Sequence, residues 1–293
     1  MKKLIHVLVG LVFISISIQT THAQKLYLTT GAGYSIGTNN NFYNLRADYH
    51  NIQLDSTHSY TKYELGKISM GQGLNVEFGL GTHIGEHFSI ELTGFYFKSN
   101  KQILENAEHS LFYDKYELDI IQESILTGKM MGFKPCIVYW FGGNNIKPYT
   151  KLGAVVGFTS MTEEVDFRIF NELPGYYPTE NYSSVFEFAS NISIGACITG
   201  GFEIILAAGI RCFAELSYAA INYIPTSGEY TAYKYRGKDI MDELSASEIY
   251  YEYVDEFNTT ENISENTPTK VLKAQYSYSK LSAVAGLKIH IIE

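Results

Sequence analysis

The sequence predicts an all-β chain: an eight-stranded antiparallel up-and-down transmembrane β-barrel with short periplasmic turns and long extracellular loops. Three observations lead to this prediction. A secretory leader is followed by no second long apolar run, apolar and polar residues alternate with period two, and the connections alternate between short and long. Period-two alternation is typical of strands with two different faces. Short turns at one end and long loops at the other are typical of outer-membrane barrels.

The N-terminal segment has the pattern of a cleaved signal peptide. Two lysines precede an apolar run from Leu4 to Ile18, and Thr21 and Ala23 are small residues before the predicted cleavage point. The run is shorter than the roughly 20 residues of a spanning helix; an uncleaved anchor helix is the alternative. We therefore predict a signal peptide over 1–23, an outer-membrane β-barrel domain over 24–293, and export to the bacterial outer membrane.

Composition narrows the function classes. The net charge is −9, and removal of two lysines with the leader makes it −11, which argues against nucleic-acid binding. The 24 tyrosines, 17 phenylalanines and 25 glycines suit strands and crowded sheet interiors. Cys136, Cys197 and Cys212 each lie in a predicted strand without metal-ligand spacing, so we expect small apolar fillers and neither a metal nor a cofactor.

Eight segments alternate strongly enough to predict strands. They are 25–37, 66–84, 87–98, 127–141, 147–160, 190–204, 209–224 and 274–292. The turns at Gly85-Glu86, 142–146 and 205–208 are short, whereas 38–65, 99–126, 161–189 and 225–273 are long and polar. Within the last of these, 239–257 has helical propensity, and a flexible loop is the alternative.

The segment 73–97 shows which face of the strands is the inside. Its apolar face would line a ligand cavity in a soluble barrel and would contact lipid in a membrane barrel. The opposite face is rich in glycine and carries few charges, which suits the narrow interior of an eight-stranded barrel better than a water-exposed surface. We therefore predict that the apolar set faces lipid: Leu74, Val76, Phe78, Leu80, Phe88, Ile90 and Leu92.

Charged residues on the inward face predict an ion-paired lumen. A buried ion is costly unless it is paired, and Glu77 and Glu91 would repel each other at similar heights on neighbouring strands. A narrow barrel brings bases on the other walls within reach. The predicted cluster comprises Glu77, Glu91, Lys134, Lys151, Arg211, Glu215 and Lys288. The alternative, in which Glu77 and Glu91 are a catalytic acid and base, lacks an evident route for substrate.

Aromatic residues near the strand ends predict two interfacial girdles, as in membrane barrels. Phe88, Tyr139, Phe141 and Phe202 fall near the short-turn end, and Tyr34, Tyr96, Phe158 and Tyr218 fall near the long-loop end. The alternative is the scatter of aromatics found in any strand-rich protein.

With these features together, the chain resembles small bacterial outer-membrane β-barrel proteins, namely the OmpA-like or porin-family barrels of Bacteroidota type. The final strand LSAVAGLKIHIIE is similar to the C-terminal assembly signal of such barrels through Gly286, Leu287, Ile289 and Ile291, but it ends in Ile292-Glu293 instead of an aromatic residue. Pro135 within a strand is a second departure, tolerable at a bulge or an edge.

Three functions remain open from the sequence. The first is a non-enzymatic surface, structural or partner-binding protein, with a partner bound through 161–189 and 225–273; a secretion- or adhesion-system component is a variant that the resemblance implies. The second is a small-conductance channel. The third is an enzyme at the rim of the membrane. Its nucleophile and base could come from predicted loop residues whose spacing is not specific to any catalytic motif: Asp48, His50, Asp55, Ser56, His58 and His109.

Overall fold

The computed structural model describes residues 26–38, 41–55, 58–112, 116–143, 145–171, 179–256 and 264–291, so the predicted signal peptide lies outside the described residues. The described residues contain almost only strands. In chain order these are β1 (Leu26–Gly37), β2 (Asn41–Asp55), β3 (His58–Ile68), β4 (Gly73–Ile84), β5 (Phe88–Ser99), β6 (Gln102–Phe112), β7 (Tyr116–Trp140), β8 (Ile146–Asn171), β9 (Thr179–Ala207), β10 (Ile210–Tyr223), β11 (Ser227–Tyr235), β12 (Lys238–Asp239), β13 (Tyr250–Val254), β14 (Thr269–Leu272), β15 (Tyr276–Ser277) and β16 (Lys280–His290).

Eight of these strands close into a barrel. Each is hydrogen-bonded to two antiparallel neighbours in the cycle β1–β4–β5–β7–β8–β9–β10–β16, and the ladder between β1 and β16, from Tyr27↔His290 to Gly37↔Lys280, completes the circle. Closure leaves no unpaired edge within the barrel. The predicted fold class, an eight-stranded antiparallel barrel, is confirmed.

Alternation along the barrel strands separates an apolar outside from a mixed inside. On β4 the burial pattern alternates strictly from Gly73 to Gly81, with Leu74, Val76 and Phe78 at 53–61% exposure. Between them, Asn75 and Glu77 point inward and are buried. Successive side chains of a strand point to opposite faces, so the sequence pattern alone fixes which residues line the lumen.

Short turns join strands at one end, which we call the short-turn end. Gly85, Gly142, Gly143 and Gly209 occupy these turns with φ between 74° and 122°. This left-handed region is open to glycine at no steric cost, which explains why the turns can be so tight.

The long segments differ from the prediction: in the described residues, 38–65, 99–126 and 161–189 are mostly strand, and 225–273 is about half strand. β7, β8 and β9 each continue as one strand past the barrel, and their pairing extends to Leu118↔Asn171 and Phe170↔Thr179. β6 is added beside β7, β11 is added beside β9, and β13 is added beside β11. We call this projecting part, at the end opposite the short turns, the extension sheet.

Strand boundaries differ from the prediction for the same reason. The predicted strand 66–84 is divided by a turn over 69–72, and 274–292 is divided into β15 and β16. Pro135 lies inside β7, opposite Leu92 of β5, without any register shift, so no bulge accommodates it. Instead, the ladder to β8 is interrupted between Phe133↔Val156 and Cys136↔Gly153, as expected for a residue without an N–H.

The acidic segment 239–257 contains short helices in place of the single helix considered from the sequence. A 3-10 turn over Met241–Glu243 and an α-helix over Ala246–Ile249 lead into β13. The N–H and the hydroxyl of Ser245 both donate to the Glu248 carboxylate, at 2.8 and 2.7 Å, and hold the pKa of Glu248 below its usual range. No helix among the described residues is long and apolar enough to cross a bilayer.

Candidate functional site: an occluded lumen and an extension sheet

The lumen of the barrel is the first candidate site. The structure places all seven residues of the predicted cluster on its wall, buried or half-buried, and divides them into three groups at different heights. The middle group is Glu91, Lys151 and Glu215. The group toward the extension sheet contains Glu77 and Lys134, and the group toward the short turns contains Arg211 and Lys288.

Lys151 lies between two carboxylates in the middle of the lumen. Its Nζ is 2.7 Å from Glu91 Oε1 and 2.6 Å from Glu215 Oε1, and all three side chains are buried. The Tyr27 hydroxyl donates to Glu91 at 3.2 Å, and the Tyr149 hydroxyl donates to Glu215 at 2.6 Å. One cation and two phenols therefore satisfy two acids whose burial would otherwise be costly.

Glu77 has its own partners, closer to the extension sheet. Lys134 Nζ and Asn75 Nδ2 each donate to Glu77 Oε1 at 2.5 Å. The register places Glu91 opposite Gly81, not opposite Glu77. The two glutamates are therefore four residues apart along the strand, about 13 Å, and the similar height expected from the sequence is wrong.

Glu203 joins the bases near the short-turn end. It pairs with Lys288 at 2.9 Å and with Arg211. The Lys288 ammonium also lies over the rings of Trp140, at 4.1 Å, and Tyr27, at 4.4 Å. Cation–π contacts of this kind stabilise a desolvated ammonium, so this end of the lumen is filled by rings and paired charges.

Aromatic and aliphatic side chains close the other end of the barrel. Tyr278 is fully buried, packs edge-on against Phe97 and Tyr223, and donates its hydroxyl to the Ser160 carbonyl at 3.2 Å. Lys280 is buried directly beneath, with its Nζ 3.5 Å from the centroid of the Phe97 ring. Within the described residues, the cavity between these layers measures about 20 Å³, room for about one water molecule. The lumen is thus occluded.

The predicted ion-pair cluster omitted Glu203 and Lys280, and the aromatic layer around Tyr278 was not predicted. Alternation places Glu203 and Lys280 on the inward face, so the parity of their positions was an available signal. Glu203 could also have been found because Arg211 and Lys288, opposite each other in the register, need an acid close by. The aromatic layer depends on residues 274–279 turning into the barrel mouth, which the prediction of one continuous strand excluded.

The three cysteines do not belong to a metal-binding group among the described residues. Cys136 and Cys197 are buried in the lumen wall. Cys136 on β7 and Cys197 on β9 are both cross-strand partners of Gly153, which lies between them on β8. Cys212 points outward and is half-buried. Among the described residues no group of three His, Cys, Asp or Glu side chains could hold a metal ion.

The predicted girdle residues are all exposed on the outside of the barrel. Phe88, Tyr139 and Phe141 form a connected row near the short turns, with ring centroids 5.2 and 5.1 Å apart. The outward residues at the two ends are exposed by 36–61%: Tyr34, Phe88, Tyr96, Tyr139, Phe141, Phe158, Phe202 and Tyr218.

The extension sheet provides the second candidate site, a groove of about 740 Å³ on its outward face. The groove is built from both segments that the sequence selected for partner binding. Glu187 and Glu229 lie directly opposite each other on β9 and β11, and Glu252 and the exposed ring of Tyr250 follow on β13. A second concavity of about 310 Å³ on the same face contains Glu123, Glu164 and Asp166.

The residues considered for catalysis at the rim lie on β2, β3 and β6. The backbone of Asp55 is opposite that of His58, and His109 is opposite Asp119 on β7 and Ile52 on β2. Ser56 lies outside the described residues. Backbone register alone defines no nucleophile–base geometry for these positions.

The fold and the filled lumen define the class of protein, a closed eight-stranded antiparallel β-barrel with an apolar outside. Neither models of known protein families nor curated proteins match this chain.

Proposed function

We propose that this chain is an outer-membrane β-barrel protein with a closed lumen, whose non-enzymatic role is to hold the extension sheet at the cell surface for binding a partner. The observation that carries the proposal is the inverted distribution of polarity. Isoleucine, leucine and phenylalanine side chains cover the outside of the barrel, whereas lysine and glutamate are buried inside it. Such a large exposed apolar surface is unstable in water and is stabilised by lipid.

The dimensions of the apolar outside support a membrane position. On β5 the outward apolar residues run from Phe88 to Tyr96, with Gly94 between. Eight residue steps span about 27 Å along the strand, or about 21 Å across the membrane at a tilt of about 40°. This is close to the apolar band of about 25 Å typical of outer-membrane barrels, and aromatic residues lie at both of its ends.

The occluded lumen favours an anchoring role over a channel. Ion pairs, rings and the layer around Tyr278 fill the interior at three heights, and a conducting path would have to displace buried charges from their partners. Steady conductance would therefore require a large rearrangement of the lumen, which makes the channel the weaker alternative.

The outward face of the extension sheet is the surface that we propose for partner binding. Glu187, Glu229 and Glu252 line its larger groove with carboxylates, and Tyr250 offers an aromatic contact of the kind enriched at interfaces. A partner with lysine and arginine side chains complements this groove.

Reconstitution of the full chain tests the membrane part of the proposal. We expect heat-modifiable gel mobility after insertion into phosphatidylcholine vesicles, and planar bilayers that stay electrically quiet. A chain that remains soluble and does not insert would refute the barrel's membrane role. Stable conductance steps would instead favour the channel.

A lysine-rich probe peptide tests the groove in the same reconstituted protein. We expect the triple variant Glu187→Gln, Glu229→Gln, Glu252→Gln to bind this probe at least several-fold more weakly than the wild type. The matched control, Asp242→Asn, Glu256→Gln, Glu265→Gln, removes three exposed acids outside the groove and should bind as the wild type does. Equal weakening in both variants would mean that only net charge matters.

A further inference from the structure

Two lysines stand directly opposite each other on the outside of the barrel. Lys98 of β5 is the cross-strand partner of Lys129 of β7, and both side chains are exposed. Like charges in this position destabilise a sheet. Neither ammonium has a carboxylate within ion-pair distance in the described part of the chain, so no protein group there offsets the repulsion.

This lysine pair lies immediately beyond the apolar belt. The next outward pair toward the short turns is Tyr96↔Met131, whose side chains are 41% and 57% exposed. One outward step corresponds to two residues, about 7 Å along the strand. In a membrane whose hydrocarbon covers the apolar belt, both ammoniums therefore lie at the level of the lipid headgroups.

Neighbouring side chains at this level donate hydrogen bonds and add positive charge. Gln72 Nε2 and Asn100 Nδ2 both donate to the Tyr34 hydroxyl, at 3.2 and 2.6 Å. Lys101 follows three residues after Lys98 and is exposed. Among the described outward residues of β7 and β8, the acid nearest to Lys129 along the strands is Glu164, which lies opposite Ile125. That position is four residues, about 13 Å, beyond the level of Lys129.

We propose that Lys98 and Lys129 bind a phosphate group of a phosphorylated lipid in the leaflet that surrounds this end of the barrel. The Cβ atoms of a directly opposed pair are about 4.5–5.5 Å apart, so both flexible side chains can reach one phosphate. Its negative charge would convert their repulsion into two charge-assisted contacts. The acyl chains would lie along the apolar belt below. The inference rests on the proposed membrane position of the barrel.

Lipid binding to the full chain in detergent, measured by native mass spectrometry, tests the inference. The ligands are phosphatidic acid, phosphatidylcholine and inorganic phosphate. We expect phosphatidic acid to bind in preference to phosphatidylcholine. The double variant Lys98→Gln, Lys129→Gln should weaken phosphatidic acid binding about 30-fold, because each lysine near a lipid surface contributes about fivefold. Each single variant should lose about fivefold.

The control variant Lys238→Gln, Lys273→Gln removes two exposed lysines of the extension end and should bind phosphatidic acid as the wild type does. An unchanged affinity in the double variant overturns the proposal. Competition by inorganic phosphate at concentrations similar to those of the lipid would overturn the lipid as ligand and indicate a free-phosphate site.

Insertion is measured on the same proteins. If the double variant inserts into phosphatidylcholine vesicles and the wild type shows no preference for phosphatidic acid, the headgroup site fails while the proposed membrane role stands. If the wild type does not insert, both fail.

Discussion

Replacement of Lys151 by methionine removes the cation that Glu91 and Glu215 share. Lys151 is 7% exposed, its Nζ lies 2.7 and 2.6 Å from the two carboxylates, and methionine conserves most of its volume. Breaking a buried pair by removing one partner typically costs about 3–5 kcal/mol, because an uncompensated charge stays buried. Two carboxylates are left here, so we expect a loss in the free energy of unfolding at the upper end of that range.

Urea titration of the vesicle-inserted protein, followed by heat-modifiable mobility, measures this loss. The matched control is Lys238→Met, because the Lys238–Glu243 pair has the same distance of 2.6 Å but both partners are exposed. Exposed pairs contribute little to stability, so this variant should unfold as the wild type does. Adding Glu215→Gln to Lys151→Met should recover part of the loss. Equal midpoints for the Lys151 and Lys238 variants would refute the ion-pair reasoning.

Three further predictions follow from the packing of the barrel. Gly81→Ala should lower the free energy of unfolding by about 1–3 kcal/mol, since its Cβ would lie 2.2 Å from a lumen tyrosine ring, whereas Gly200→Ala, with open space around it, should be neutral; equal urea midpoints would contradict this. Leu152→Arg, 65% exposed on the barrel wall, should cost about 2–4 kcal/mol in vesicles, and Thr162→Arg on the extension part of the same strand should cost far less. The two buried lumen cysteines should remain reduced under air, because strands separated by a third strand hold their Cα atoms about 9–10 Å apart, beyond the roughly 7 Å limit for a disulfide; a mass decrease of two hydrogens would disprove this.

The period-two alternation of apolar and polar residues predicted most of the barrel strands, because a closed barrel gives each strand one inward and one outward face. The parity of Leu74, Glu77 and Glu91 fixed their faces correctly without any knowledge of partners. However, whether a position is odd or even along a strand does not determine its level along the barrel axis. The level of a residue depends on the length of each turn and on the stagger between strands, so Glu77 and Glu91 could be assigned to one wall but not to one contact.

The extension sheet could not be predicted from composition. In 161–171, apolar Met161, Val165, Phe167 and Ile169 alternate with polar residues, and in 179–189 Phe186 and Phe188 do the same, so period-two alternation was an available signal that the polar composition outweighed. These segments are strands because the barrel holds their beginnings in register, and each further residue adds a ladder bond to a neighbour already in place.

The unbroken course of β7, β8 and β9 has a mechanical consequence. The 26 residues of β8 form one strand about 85 Å long, and a hydrogen-bonded ladder has no joint at which it can rotate freely. A pull on the far tip should therefore load the barrel in shear, and the tip should not swing independently. The β8–β9 ladder carries a bulge between Thr159 and Met161, at the boundary of barrel and extension. Under increasing force, we expect the hydrogen bonds of the β8–β9 ladder to break first at this bulge.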